Sequence, residues 1–244
     1  MEQYWLFLLR WFHFLAGITW IGMLYYFNFV QTPFFAKAEA PVRTGMITGG
    51  VVELALWWFR WGAMFTFITG WLYLLHVMFS QYGDPRTFLA TEYGWKIFFG
   101  GMLGSLMWAN VWFVIWPAQQ VVIASARQVA GGGQAIADAA ARGARAGITS
   151  RTNTLLSIPM LLFMGAAMHS PAIGNPANAT QKIVALLLLV VVMAIVEINA
   201  VVGAATPDKA SATKKMIATS VSNTFWAGFI VTAILWIGLE VIFP

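Results

Sequence analysis

Residues 181–204 read QKIVALLLLVVVMAIVEINAVVGA, with no charged side chain between Lys182 and Glu197. A bilayer core takes about 20 mainly apolar residues in a helix. This stretch meets that length, and comparable ones recur at 4–31, 54–79, 94–124, 153–170 and 218–243. The third is long for one span, and its tail beyond Pro117 is expected to leave the bilayer as a helix. The reading is an all-α integral membrane protein: a bundle of about six transmembrane helices, one domain over residues 1–244.

Composition agrees. The chain is 60% hydrophobic and 9% charged, whereas soluble domains carry about 25% charge. So few charges could not cover a water-soluble body of this size, so the solvent is mostly lipid. Cysteine is absent, which excludes disulfides, thiolate metal sites, iron–sulfur clusters and covalently attached c-type haem within this sequence. The first apolar stretch outruns a signal-peptide core and has no small-residue cleavage site behind it, so it is expected to be a mature helix.

The net charge of +5 is first a topology signal. The connections after spans one, three and five hold Lys37, Arg43, Arg127, Arg142, Arg145, Arg151, Lys209, Lys214 and Lys215; the other side holds Arg86, Lys96 and Lys182. The positive-inside rule then places both termini outside the cytoplasm. Nucleic-acid binding is a poor second reading of that charge. A cytoplasmic connection at about 125–151 is the sizeable soluble piece. Its Gly131-Gly132-Gly133 reads as a flexible break between short helices; a phosphate loop would need a following Lys-Ser/Thr, which is missing. Trp5, Trp57, Trp58, Trp95 and Trp116 fall near span ends and read as an interfacial belt. Gly100, Gly101, Gly104 and Ser105 form small-xxx-small pairs that let helices approach.

Polar residues inside spans are costly and mark candidate sites: Arg10, His13, Arg60, His76, Lys96, His169, Glu197 and Glu240. Lys96 and Glu240 lie near span ends and are expected to reach water as anchors. The three histidines all belong to the outer half on this topology. Imidazole is the usual protein ligand for haem b in membrane bundles and also serves copper and zinc. The competing reading is an imidazole bonded to a helix carbonyl or to interfacial water. Arg10, His13 and Gly17 share one helix face. Gly17 would leave room for a flat macrocycle and Arg10 would pair a propionate, or Gly17 is a helix-packing position. Met78, Met164 and Met168 lie near His76 and His169 as weaker candidate ligands. Arg60 and Glu197 both belong to the inner half and are expected to form a buried ion pair between spans two and five, as a structural clasp or part of a proton path.

Several stretches resemble the N-terminal membrane domain of the bacterial membrane-bound urate oxidase (urate hydroxylase) family. They are Trp11-Phe12-His13-Phe14-Leu15-Ala16-Gly17-Ile18-Thr19-Trp20-Ile21-Gly22, Trp58-Phe59-Arg60-Trp61 with Gly70, Asn110-Val111-Trp112-Phe113-Val114-Ile115-Trp116-Pro117, and Arg151-Thr152-Asn153 through Pro159 to Met168-His169-Ser170-Pro171. The resemblance implies a helical domain of the bacterial inner membrane whose electrons pass to a cytochrome c module on the outer side. The present sequence contains no CxxCH, so either a separate cytochrome accepts the electrons or the chain keeps the fold for a different task. His13 and His169 fall in the matching motifs; His76 does not.

The leading expectation is therefore a redox-active membrane protein holding haem b between His13 and His169, with His76 in reserve. A cofactor-free accessory subunit of a larger membrane complex is the second. Urate oxidation with electrons passed to a separate cytochrome c is the third, ahead of metal handling or transport.

Overall fold

The computed structural model describes residues 2–243, apart from the side chains at 218 and 219. Helix α1 (Glu2–Tyr25) continues through a π-helical segment (Tyr26–Gln31) into α2 (Thr32–Lys37), and short α3 (Ala40–Thr48) follows. Then come α4 (Val51–His76) with a π-helical end (Val77–Gln81), and one-turn α5 (Pro85–Phe88). Next are α6 (Glu92–Ala109), a third π segment (Asn110–Ile115) and α7 (Trp116–Ala130). The chain ends with α8 (Ala139–His169), α9 (Ala179–Val201), short α10 (Ala212–Thr219) and α11 (Val221–Ile242). Among the described residues, five helices are long and apolar enough to cross a membrane: 2–37, 51–81, 92–130, 179–201 and 221–242.

The fourth expected span lies on α8, which is 31 residues long but outside that apolar set. Its position explains why. It packs against α6, α7, α9, α11 and the end of α1, and its stretch from Ile148 to Met160 meets other helices, while Leu161, Leu162 and Met168 are exposed. Thr149, Thr152, Asn153, Thr154 and Ser157 are fully buried on it. The helix also begins well before residue 153. The connection at 125–151 is helical on both sides of a short break, with α7 running to Ala130 and α8 starting at Ala139. The break between them turns at Gly132, whose φ is +85°, and the Ile136 N–H donates to Ser125 Oγ at 3.0 Å, tying the turn to α7.

Two of the three π segments sit directly ahead of a proline. Pro33 and Pro117 each sit just behind a π segment. A proline ring has no N–H and clashes with the carbonyl four residues back, and the wider π turn takes up that conflict. Pro159 lies inside α8 and leaves the Leu155 carbonyl without a helical donor. Gly228 of α11 faces that carbonyl so closely that a methyl group there would sit 2.9 Å from the oxygen. Close approach also joins α1 to α4, where a methyl on Gly62 would lie 3.0 Å from the Trp20 nitrogen.

Both ends of the chain lie at the same end of the bundle. His76 Nε2 meets Glu2 Oε1 at 3.0 Å, and Phe243 packs against Trp95 with the rings tilted and their centroids 5.6 Å apart. Lys96 does not snorkel as expected. It is 1% exposed, and its Nζ donates to Glu92 Oε2 at 3.2 Å and to the Pro171 carbonyl at 3.1 Å. Glu92 Oε2 also accepts from the Ile173 N–H at 2.7 Å, so the pair straps the 170–178 connection onto α6. Glu240 stays exposed and accepts from Trp236 Nε1 at 2.8 Å. At the opposite, Lys/Arg-rich end, Arg145 donates to the Ala200 and Gly203 carbonyls and Lys214 to those of Val202 and Ala204. Cations there complement the negative end of the α9 dipole.

Candidate functional site

At the Lys/Arg-rich end, the first π segment, α4, α7, α8 and the connection after α9 enclose a cavity of about 210 Å³. One wall is apolar: Phe27, Val52, Leu56, Phe59 and Ile115. Phe27 and Phe59 meet edge to face, 5.5 Å between centroids. The other wall carries Asn28, Gln31, Gln119, Ser150 and Arg151. Asn28 Nδ2 is satisfied by the Leu24 carbonyl and Ser150 Oγ, each at 2.8 Å. Arg151 and Gln31 are not satisfied. Arg151 is 6% exposed, its Nη1 is buried without an acceptor, and Gln31 Oε1 is buried without a donor. Among the described residues, no carboxylate lines the cavity. A buried, unpaired guanidinium costs several kcal/mol unless an anion meets it. The volume matches about seven waters at about 30 Å³ each. It suits a small ring system and excludes a macrocycle the size of haem.

Deeper in the bundle, α8 organises a second polar cluster. Asn110, the first residue of the third π segment, donates from Nδ2 to Asn153 Oδ1 at 2.9 Å and to Glu197 Oε2 at 3.0 Å. Asn153 Nδ2 donates to the Met107 carbonyl at 2.9 Å. The expected Arg60–Glu197 ion pair is not formed among the described residues. Arg60 lies instead over aromatic rings, 3.9 Å from the Trp116 centroid and 5.3 Å from that of Trp112. The two charges thus go to different partners: the carboxylate takes an amide, and the guanidinium takes π faces, where cations are attracted by the ring quadrupole.

The histidines go to separate helices. His13 Nδ1–H donates to the Thr66 carbonyl at 2.9 Å, and a methyl on Gly70 would sit 2.8 Å from its Cε1, so the ring is held against α4. The positions expected to cradle a macrocycle have other neighbours. Gly17 faces Thr66, whose methyl lies 3.8 Å from a Cβ built there, and Arg10 Nη2 donates to Tyr73 Oη at 2.7 Å. His76 pairs with Glu2. His169 is exposed at the end of α8 and has no hydrogen bond among the described residues. These residues do not form a haem cradle at Gly17 and Arg10. With Nδ1 protonated, His13 Nε2 keeps its lone pair. No group of three or more His, Cys, Asp or Glu side chains that could hold a metal ion occurs among the described residues.

The molecule is thus an all-α, membrane-type bundle around a polar central helix, with a small cationic cavity at its basic end. A family profile described as urate oxidase N-terminal matches residues 86–227, and the chain belongs to that family. No curated protein and no solved structure matches it. Arg151, Asn110, Asn153, Glu197 and His169 lie inside the matched range; Gln31, Phe59 and His13 lie outside it. The sequence places Arg151 among the loop charges and, with Asn153, in the fourth resembling stretch, and Asn110 opens the third, but nothing in it marks these three or Gln31 as lining a site. The usable signal was the polar run Thr149–Thr154 leading into a segment otherwise read as membrane-spanning.

Proposed function

We propose that this chain is the membrane module of a urate-oxidising redox system, that urate sits in the cavity beside Arg151, and that electrons pass to a cytochrome c partner on the opposite face. The observation that carries the reading is the buried Arg151 Nη1 without an acceptor, in a cavity with no carboxylate of its own. Such a site calls for a small anion. Urate is an acidic, planar bicycle, and Phe27 and Phe59 supply flat apolar surface for it. The name of the family supports the choice of substrate. In the reaction, urate takes up the oxygen of one water and releases two electrons and two protons; two one-electron cytochrome haems accept the electrons. Membranes containing the chain should reduce added cytochrome c when urate is supplied, and Arg151→Gln should lower the rate at least tenfold. Full activity in Arg151→Gln removes the cavity from the reaction.

Haem b bound by His13 and His169 is the second reading. One observation favours it: the bond to the Thr66 carbonyl fixes the tautomer that leaves Nε2 able to ligate, as at many imidazole–metal sites. Helix register adds to it. Tyr25 Oη meets Ser157 Oγ at 2.9 Å between antiparallel α1 and α8, and an equal number of residues along each helix leads to His13 and His169, at one depth. A Soret band in the purified protein that disappears in His13→Ala supports haem. A colourless protein returns the outer half to a structural role.

A further inference from the structure

Two side chains that line the cavity carry unsatisfied atoms of opposite character, both closed off as the side chains stand. Arg151 Nη1 is a donor without an acceptor, and Gln31 Oε1 is an acceptor without a donor. They reach the site from distant parts of the chain, Gln31 at the end of the first π segment and Arg151 on α8. An inorganic or carboxylate anion satisfies only the first. With Gln31 Oε1 turned toward the ligand, the anion's oxygens would place acceptor against acceptor; an amide turned over to present Nε2 would accept such anions instead, the outcome that tight benzoate binding would reveal. A ligand that satisfies both presents a ring N–H to Gln31 and an oxygen to Arg151.

We infer that Gln31 is a specificity residue: together with Arg151 it selects anionic cyclic amides and ureides by their N–H/C–O edge, and rejects anions that lack an N–H. The inference rests on the urate reading above and adds which atoms recognise the ligand. Charge comes from Arg151 and discrimination from Gln31. A buried acceptor left without its donor costs enough to weaken binding roughly tenfold to a hundredfold, which sets the expected selectivity. The apolar wall, with Phe59 1% exposed, gives little discrimination between flat rings of similar size.

The test uses the full chain in lipid nanodiscs and measures equilibrium binding of urate, a set of singly N-methylated urates, and benzoate as a flat anion without an N–H. Wild type should bind urate at least tenfold more tightly than benzoate and than at least one methylated urate. Gln31→Leu should weaken urate while leaving the disfavoured ligands where they were, so that the selectivity collapses. Gln31→Glu should abolish binding of all of them, because its carboxylate would occupy Arg151. Thermal unfolding of each variant, read beside binding, separates loss of selectivity from loss of fold. If urate binding needs Arg151 but Gln31→Leu keeps the wild-type selectivity, the inference is overturned and the urate reading stands. If benzoate binds as tightly as urate to wild type, the inference is likewise overturned. If no ligand binds to wild type, both fall.

Discussion

A methyl group added at Gly70 would sit 2.8 Å from His13 Cε1 and 3.1 Å from Nδ1. Gly70→Ala should therefore push the imidazole off the Thr66 carbonyl and cost about 1–3 kcal/mol, the usual price of overpacking. Gly22, on the same first helix, has nothing within 4 Å of such a methyl. Gly22→Ala should instead gain up to about 1 kcal/mol through lower unfolded-state freedom. Thermal unfolding in detergent reads both signs, and equal effects would show that the α1–α4 contact at His13 is wrongly described. The same scale shows what sequence can and cannot reveal. That His13 lies deep in a span was legible, because burial follows from the apolar residues on either side. Its partner was not, since Thr66 offers a backbone carbonyl, which no residue type announces. Arg151 was visible as a charge, but its lack of an acceptor depends on what α1, α4 and α7 bring to it, and Gln31 carries no mark of its own.

Helix α8 shows the limit of hydropathy. Hydropathy reports whether a helix faces lipid, and the first part of α8 faces other helices, so its buried polar residues hid that part of its length. The five helices at the lipid boundary were located to within a few residues by the same signal that failed there. Close backbone contact holds α8 in place. A methyl on Gly228 would fall 2.4 Å from Ile158 Cδ1 as well as 2.9 Å from the Leu155 carbonyl. The side chain can turn away, but the carbonyl cannot. Gly228→Ala should lower stability by about 1–3 kcal/mol, and a neutral effect in unfolding experiments would contradict the α8–α11 packing. At the exposed connection before α6, Asp84 caps α5 by accepting from the Arg86 and Thr87 N–H groups at 2.6 and 3.0 Å. Hydrogen bonds from the Thr87 backbone, the Thr87 hydroxyl and the Arg86 backbone hold its carboxyl below the ordinary range. A depressed carboxylate pKa stabilises the cap above the unfolded value of about 3.9, and that contribution is lost as pH falls through the lower folded value. Pepsin cleavage at 82–91 should rise as pH drops from about 4 toward 2. Asp84→Asn should flatten that dependence; an unchanged profile in the variant assigns it to another group.

At the scale of the whole molecule, the Lys/Arg asymmetry and the shared position of the two ends fit one arrangement, with the cationic cavity at the basic end and the termini opposite. If the basic end is cytoplasmic, a cysteine introduced at Gln3 should react with an impermeant thiol reagent from outside intact cells. One introduced at Ala140 should react only after permeabilisation, and the reverse pattern inverts the orientation. That placement gives the cavity access to a cytoplasmic anion and leaves the far face for an electron-accepting partner. The central claim is that the cavity beside Arg151 is where the substrate binds. The most direct measurement is a pair of cryo-electron microscopy maps of the protein in nanodiscs, with and without saturating urate. The account predicts new planar density against Phe27 and Phe59, in contact with Arg151 and Gln31. Urate density elsewhere in the bundle, with the cavity unchanged, would contradict it.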